Sequence, residues 1–205
     1  MEEDIDFRRC EYLTGAGDMR HCPPADVPEV AFAGRSNAGK SSALNAITDQ
    51  RSLARTSKTP GRTQLIHFFE LADGGRLVDL PGYGYAKVPV KVRAQWGRLI
   101  EGYLAKRECL RGVVLMMDIR HPLTPFDEQM LEWCMAAGLP CHILLTKADK
   151  LSRGAAKSVL LKVRKTLNPE APITVQLFSS PARTGVDEAR ALLNRWLASD
   201  GSQDS

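Results

Sequence analysis

Apolar and polar positions alternate along the chain in blocks that predict strands and helices in turn. The apolar run at residues 30–33 predicts a buried strand, and a helix-compatible stretch through Ile47 follows it. Two further apolar runs, at 64–71 and 76–80, flank the turn sequence Ala72-Asp73-Gly74-Gly75. A turn sequence between two apolar runs is typical of a hairpin.

The alternation continues to the end of the chain. Helices are predicted near 90–107, from Pro125 to about Gly138, from Ser152 to Leu167 and near 186–198, and strands are predicted at 113–117, 142–145 and 173–178. Strands that alternate with amphipathic helices indicate crossover units on a mostly parallel sheet. We therefore expect an α/β fold in which the hairpin adds one antiparallel strand.

The loop between the first strand and the first helix carries the clearest chemical motif. It has the sequence Gly34-Arg35-Ser36-Asn37-Ala38-Gly39-Lys40-Ser41, which matches the pattern G-x-x-x-x-G-K-[ST] of a phosphate-binding loop. Its glycines allow backbone N–H groups to turn toward an anion, and the following helix adds its positive N-terminal end. Lys40 is then expected to reach the outer phosphates and Ser41 to bind Mg²⁺. A glycine-rich turn without a ligand is the alternative.

Two more motifs follow strands that should end at the same edge of the sheet. Asp79-Leu80-Pro81-Gly82 has the D-x-x-G pattern, in which the acid holds Mg²⁺ through water and the glycine N–H meets a γ-phosphate. Thr146-Lys147-Ala148-Asp149 follows the strand at 142–145. The Asp149 carboxylate can accept both N–H groups of the guanine Watson–Crick edge, which adenine does not offer, while the Lys147 stem covers the ring. Guanine is therefore the predicted base.

Composition changes this interpretation little, but the distribution of charge adds a candidate surface. The 205 residues are 43% hydrophobic and 25% charged with a net charge of +4, which suits one globular domain. The stretches 51–69, 83–100 and 150–169 contain basic but no acidic residues. They favour an electropositive face toward a polyanion, with solvated surface charge as the open alternative.

Cysteine and histidine usage argues against disulfide and metal frameworks. The five cysteines lack C-x-x-C spacing, and the four histidines lie far apart without ligand spacing. No stretch has the apolar length of a signal peptide or of a membrane span. We expect reduced thiols, no membrane contact and a cytoplasmic location.

The motifs are similar to those of translation-factor-related GTPases over residues 28–198, and most closely resemble the EngB (YihA/YsxC) family of bacterial GTPases. Four segments carry this resemblance: Gly34-Arg35-Ser36-Asn37-Ala38-Gly39-Lys40-Ser41-Ser42, Lys58-Thr59-Pro60-Gly61-Arg62-Thr63-Gln64, Asp79-Leu80-Pro81-Gly82-Tyr83-Gly84-Tyr85-Ala86 and Phe178-Ser179-Ser180. The Gly-Tyr-Gly-Tyr-Ala continuation is the most specific part.

This resemblance implies a three-layer P-loop GTPase domain at 28–198, preceded by an N-terminal extension at 1–27 that is packed on it or frayed, and followed by a flexible tail at 199–205. It also implies a monomeric molecular switch that hydrolyses GTP to GDP and phosphate. The implied role is assistance in assembly of the large (50S) ribosomal subunit, through contact with that particle or its rRNA. Normal cell division and septation would depend on it.

The resemblance also implies a set of nucleotide contacts. They are residues 34–42, Gly61-Arg62-Thr63-Gln64-Leu65, Asp79-Leu80-Pro81-Gly82, Thr146-Lys147-Ala148-Asp149 and Phe178-Ser179-Ser180. Lys40, Thr63 and Gly82 would be catalytic, and Thr63 would ligate Mg²⁺ beside Ser41, with Thr59 as the rival hydroxyl. Ser179 and Ser180 would bring a backbone N–H to the guanine carbonyl, or they form only a strand-to-loop serine pair.

Tyr83 stands where many GTPases carry the glutamine that orients the attacking water, so we expect slow intrinsic hydrolysis. Hydrolysis would then be accelerated by a partner, or by a K⁺ ion that Asn37 helps to hold, as in related GTPases with this loop. Two other function classes stay open. One is a nucleotide-dependent binding module at the division machinery, and the other is an ATP-dependent kinase, which the motif ending in Asp149 opposes.

Overall fold

The computed structural model describes residues 4–54, 64–84 and 88–198. Its strands are β1 (Cys10–Ala16), β2 (Glu29–Gly34), β3 (Ile66–Leu71), β4 (Arg76–Asp79), β5 (Leu110–Asp118), β6 (Cys141–Thr146) and β7 (Ile173–Leu177). Its α-helices are α1 (Lys40–Thr48), α2 (Val90–Lys106), α3 (Pro125–Ala136), α4 (Arg153–Thr166) and α5 (Val186–Ala198). Every helix and strand predicted from the apolar pattern is therefore present.

The strands form one sheet in the order β1-β3-β4-β2-β5-β6-β7. Strand β3 pairs antiparallel with β1 and with β4, whereas β4, β2, β5, β6 and β7 pair parallel with one another. Among the described strands only β3 runs against the rest. The prediction of a mostly parallel sheet with one antiparallel strand is confirmed.

Strand β1 was not predicted. Within Cys10–Ala16 only the two end residues are buried, and the register against β3 shifts between Tyr12 and Thr14. A bulge of this kind interrupts the alternation that identifies a half-buried strand. The segment before it also packs on the body of the fold, because the Phe7 side chain is 3% exposed.

Two apolar cores lie on the two faces of the sheet. One face packs against side chains of α2, α3 and α4, such as Ile100, Met130 and Val163, and the other packs against α1 and α5. Strands β2, β4 and β6 are buried at every position, as expected for parallel strands covered on both faces. The molecule therefore has three layers. In the part of the chain that the structure describes, no helix has the length and apolarity needed to cross a membrane.

The two ends of β2 have different chemistry. At its start, the fully buried Glu29 accepts hydrogen bonds from Tyr103 Oη (2.8 Å), Arg107 Nη2 (2.6 Å) and Arg76 Nη1 (3.3 Å). This ionic cluster ties β2 to β4 and to the end of α2. At its other end β2 runs into the glycine-containing loop, on the edge where all the parallel strands have their carboxyl ends. Ligands of open α/β sheets bind at that edge.

Candidate functional site

The loop that joins β2 to α1 has the backbone shape of an anion-binding turn. Asn37 and Gly39 have left-handed backbones (φ 65° and 90°), and no side chain caps the start of α1 at Gly39. A Cβ at Gly39 would lie at ordinary contact distance from Thr146 (3.5 Å), so it is the left-handed φ that disfavours other residues there. The first N–H groups of α1 are therefore available to an anion, and glycine suits the position best.

Lys40 and Asp79 bring the first two motifs together. The Lys40 ammonium forms an ion pair with the Asp79 carboxylate at the end of β4, and the two side chains are 13% and 10% exposed. Ser41 follows in the first turn of α1. The groups assigned from the sequence to phosphate and to Mg²⁺ thus meet at one place.

The segment after Asp79 lies directly against the phosphate-binding loop. Leu80 N–H donates to Phe32 O (3.0 Å), and Ser36 N–H donates to Tyr83 O (2.8 Å). A Cβ built on Gly82 would lie 3.7 Å from Ser36 N, which is ordinary contact distance. This segment therefore continues the parallel pairing of β4 with β2 beyond the end of the sheet.

The third motif is fastened to the same loop by side chains. The buried Thr146 hydroxyl lies 2.5 Å from Ala38 O and 3.1 Å from Met117 O. Lys147, whose backbone is left-handed (φ 60°), donates from Nζ to Asn37 O (2.7 Å). The segment 146–149 and the loop between β2 and α1 are therefore held in a fixed relation.

Asp118 is a site residue that the sequence analysis missed. It ends β5, where its carboxylate pairs with Lys147 Nζ (3.2 Å) and with Arg120 Nη2 (2.8 Å). Burial alone would raise the pKa of Asp118, but the hydrogen bonds from Arg120 and Lys147 outweigh it and hold that pKa well below its usual range. The available signal was an acid that directly follows the predicted apolar strand at 113–117.

Asp149 is oriented by Ser179. Ser179 is fully buried, and its hydroxyl donates to Asp149 Oδ1 (2.7 Å) while accepting from Ala182 N–H (3.2 Å). Because Ser179 N–H donates to Thr184 O (3.0 Å), the N–H of Ser180 is the better candidate to meet a base carbonyl.

The remaining predicted site residues fall into three groups. Leu80, Pro81, Ala148 and Phe178 are buried, so any contact they make with a ligand would come from the backbone. Gln64 and Leu65 are half-buried and immediately precede β3, and Ser42 lies in the first turn of α1. Gly61, Arg62 and Thr63, together with the rival Thr59, lie outside the described residues.

A cavity of about 260 Å³ adjoins the phosphate-binding loop. Its lining consists of Arg35, Ser36, Asn37, Ala38, Met117, Asp118, Arg120, His121, Asp127 and Lys147. Over residues 4–54, 64–84 and 88–198, no group of three or more His, Cys, Asp or Glu side chains could hold a metal ion. Among the described residues, the side chains that the sequence assigns to Mg²⁺ are Ser41, in the first turn of α1, and Asp79, at the end of β4.

Comparisons with known proteins agree on one family. Residues 29–147 match the family model described as "50S ribosome-binding GTPase". A curated protein of Coxiella burnetii (strain CbuK_Q154), described as "Probable GTP-binding protein EngB", is 54% identical over 195 residues, which is 95% of each chain.

Solved structures show the same fold at lower identity. A crystal structure of a probable GTP-binding protein EngB superposes with a TM-score of 0.68 at 20% identity, over 82% of this chain and 98% of that one. A structure of Aquifex aeolicus Era bound to GDP and AlF4⁻ has a TM-score of 0.65 at 19% identity, over 85% of this chain and 58% of that one.

Proposed function

This chain belongs to the EngB family of GTP-binding proteins, and from that premise we propose that it hydrolyses GTP as a molecular switch that assists assembly of the large ribosomal subunit. Its fold is the three-layer P-loop GTPase fold. The family description as a ribosome-binding GTPase supports the choice of partner. In this proposal the protein acts as a cytoplasmic monomer, and cell division and septation depend on it through the supply of ribosomes.

One observation carries the nucleotide assignment. The Thr146 hydroxyl and the Lys147 ammonium contact the carbonyls of Ala38 and Asn37, so the base motif and the phosphate loop form one rigid unit. The covalent structure of a nucleotide limits the distance between its base and its phosphates, and a site that holds both ends at a fixed spacing within that limit suits a whole nucleotide. Ser179, which orients Asp149, completes the selection of guanine.

A small group of residues would bind the phosphates and Mg²⁺. Lys40 would leave Asp79 for the outer phosphates, and the Gly82 N–H would donate to the γ-phosphate. Ser41 and, through water, Asp79 would hold Mg²⁺, with Thr63 as the further ligand in the triphosphate state. The ion would neutralise charge on the phosphates. Hydrolysis should be slow without a partner or K⁺, because the Tyr83 phenol cannot do the work of a glutamine amide.

We also propose that 28–198 is the nucleotide-binding domain, with 1–27 as an extension packed on it through strand β1; the tail predicted at 199–205 lies outside the described residues. The pairing of β1 with β3 supports a packed extension. Limited proteolysis followed by mass spectrometry tests this division. Cleavage should spare residues 10–16.

A nucleotide-competition assay tests the base. GTP and GDP should displace a fluorescent guanine nucleotide at least a hundredfold better than ATP, because adenine leaves the Asp149 carboxylate without its paired donors. Equal competition by ATP would refute a guanine site and favour the hypothesis of an ATP-dependent kinase.

Sedimentation of cell extracts tests the partner. The protein should co-sediment with large-subunit particles, and the bound fraction should differ between GDP and a non-hydrolysable GTP analogue. If it associates with no ribosomal particle in either state, the alternative of a nucleotide-dependent module at the division machinery is favoured instead.

A further inference from the structure

Tyr83, the residue directly after the D-x-x-G glycine, reaches from the phosphate-binding region to helix α3. Its phenol Oη donates a hydrogen bond to Asp127 Oδ1 across 3.1 Å. Asp127 is 1% exposed, and burial raises the pKa of both its carboxyl group and the Tyr83 phenol. A hydrogen bond to a buried carboxylate is stronger than one at the surface, so this contact is able to locate the ring.

Asp127 is itself held in place from its other side. Its Oδ2 accepts from Thr124 N–H (3.0 Å), and its own N–H donates to Thr124 Oγ1 (3.4 Å); these two bonds form the capping box at the start of α3, and the Thr124 hydroxyl also donates to Oδ2 (2.9 Å). A capping box is complete with these contacts and needs no third donor. The bond from Tyr83 therefore adds a function that the cap alone does not require.

The backbone of Tyr83 is tied to the phosphate-binding loop at the same time. Its carbonyl accepts from Ser36 N–H (2.8 Å), and its N–H donates to Gly34 O (3.4 Å). Tyr83 is thus held by the loop through its backbone and by α3 through its side chain. Only the φ and ψ rotations of Gly82 separate its N–H from the Gly82–Tyr83 peptide, so the position at which Tyr83 is held limits the directions that the Gly82 N–H can take.

We propose that Tyr83 and Asp127 are positioning residues that set the Gly82 N–H for the γ-phosphate, and so determine how well the site distinguishes GTP from GDP. This inference rests on the proposed role of Gly82. Helix α3 would then take part in sensing the nucleotide, because Asp127 in its first turn is hydrogen-bonded to the segment that would contact the γ-phosphate. GDP lacks that phosphate, so its binding should not depend on the Tyr83–Asp127 bond.

The chain offers a matched control at the opposite end of β2. Tyr103 is fully buried whereas Tyr83 is half-buried, and the Tyr103 Oη likewise donates to a buried carboxylate, that of Glu29, across 2.8 Å. Glu29 begins the strand that Gly34 ends, which places this pair roughly 16 Å from the loop at the usual rise per residue. Tyr103→Phe removes the same hydroxyl from a comparable setting without touching the nucleotide region.

The test measures the Kd for GDP, the Kd for a non-hydrolysable GTP analogue and the single-turnover rate of GTP hydrolysis. For Tyr83→Phe we expect the preference for the analogue over GDP to fall about three- to tenfold, with the hydrolysis rate falling at least as far, while the Kd for GDP stays within twofold. Tyr103→Phe should lower the melting temperature and leave all three values unchanged. Asp127→Asn weakens the same bond and should act in the same direction if Tyr83→Phe does not fold.

A double-variant cycle separates a shared role from two independent ones. The combined Tyr83→Phe and Asp127→Asn protein should discriminate between the nucleotides no worse than Tyr83→Phe alone, since both changes remove one interaction. The inference is overturned if folded Tyr83→Phe keeps the wild-type preference, or if it weakens GDP and the analogue alike. Failure of the wild-type protein to bind GTP would instead refute the proposed function.

Discussion

The Ser179 hydroxyl donates to Oδ1 of Asp149 across 2.7 Å, and this contact fixes the carboxylate of the predicted base motif. Ser179 lies just beyond β7, whereas Asp149 follows β6, so two neighbouring strands cooperate to orient one side chain. Ser179 has no exposed surface, which leaves its hydroxyl little freedom to turn elsewhere. Base selection should therefore depend on both residues, with Asp149 in contact with the base and Ser179 acting through it.

The first prediction concerns Asp149→Asn. It sets an amide donor against a guanine N–H, and loss of a charge-assisted pair should cost about 2 to 4 kcal/mol, roughly thirty- to a thousandfold in GTP affinity. Xanthine offers an oxygen at that edge, so the affinity for XTP should rise. Competition binding with both nucleotides measures the exchange. The milder Ser179→Ala variant should bind GTP more weakly and should not gain affinity for XTP. Unchanged GTP binding by Asp149→Asn would show that the base pocket is elsewhere.

The sequence predicted the parts of this molecule that depend on local pattern. Buried parallel strands such as β2 and β6 are uninterrupted apolar runs, and the loop motif around Lys40 has fixed spacing. Strand β1 was not predicted, because its burial depends on pairing with β3 and a bulge interrupts its alternation of buried and exposed residues.

Contacts between distant segments were the other part that could not be predicted. Asp118 meets Lys147 because β5 and β6 are neighbours, and Tyr83 meets Asp127 because α3 packs beside the loop. No local pattern in the sequence encodes either neighbour. The role of Thr63 stays a prediction, since that residue lies outside the described part of the chain.

The second prediction concerns the basic face of α4. Arg153, Lys157 and Arg164 are exposed, fall within about 40° of one another around the helix, and form no ion pair with any acid in the described residues. If they contact ribosomal RNA, replacing all three with glutamine should weaken binding and reduce the log–log salt slope by about 0.7 to 0.9 for each lost phosphate contact.

Binding to large-subunit particles across a salt series measures this slope. Lys162, about 180° from Arg153 on the same helix, provides the control, because Lys162→Gln should leave the slope unchanged. An unaltered slope in the triple variant would assign these side chains to solvated surface.

The third prediction is a pH dependence of stability from His142. Its ring is 5% exposed and bonds to Thr174 Oγ1 (2.6 Å) and Gln176 Oε1 (2.8 Å), and burial lowers the pKa of His142 despite the nearby Glu188. The unfolded chain therefore takes up a proton at a higher pH than the folded one. Its contribution to the unfolding free energy is complete above about pH 6.5 and is lost as the pH falls toward the folded pKa, by at most about 1.4 kcal/mol per pH unit.

Urea unfolding at pH 7.5 and 5.5 tests this sign. His142→Gln should be less stable at pH 7.5 and should show a smaller loss on acidification than the wild type. His121→Gln, at an exposed position, should keep the wild-type pH dependence. An equal loss in wild type and His142→Gln would assign the acid sensitivity to other groups.

The last prediction is that K⁺ stimulates GTP hydrolysis through Asn37. The backbone carbonyl of Asn37 is engaged by Lys147, but its side chain forms no hydrogen bond among the described residues and lines the cavity beside the loop. An amide oxygen placed there is available to a monovalent cation, which would neutralise charge developing in the phosphoryl-transfer transition state. Such a cation would partly compensate for the lack of a water-orienting glutamine, whose position is occupied by Tyr83.

Single-turnover hydrolysis in KCl and in NaCl at equal ionic strength measures the effect. The wild type should be faster in KCl, and Asn37→Ala should lose that difference while keeping its affinity for GDP, because the Lys147 contact uses the backbone and survives the substitution. If Asn37 only stabilises the loop, the variant should instead be slower by the same factor in both salts. Equal wild-type rates in KCl and NaCl would exclude potassium as the source of the rate and leave a partner protein or RNA to supply it.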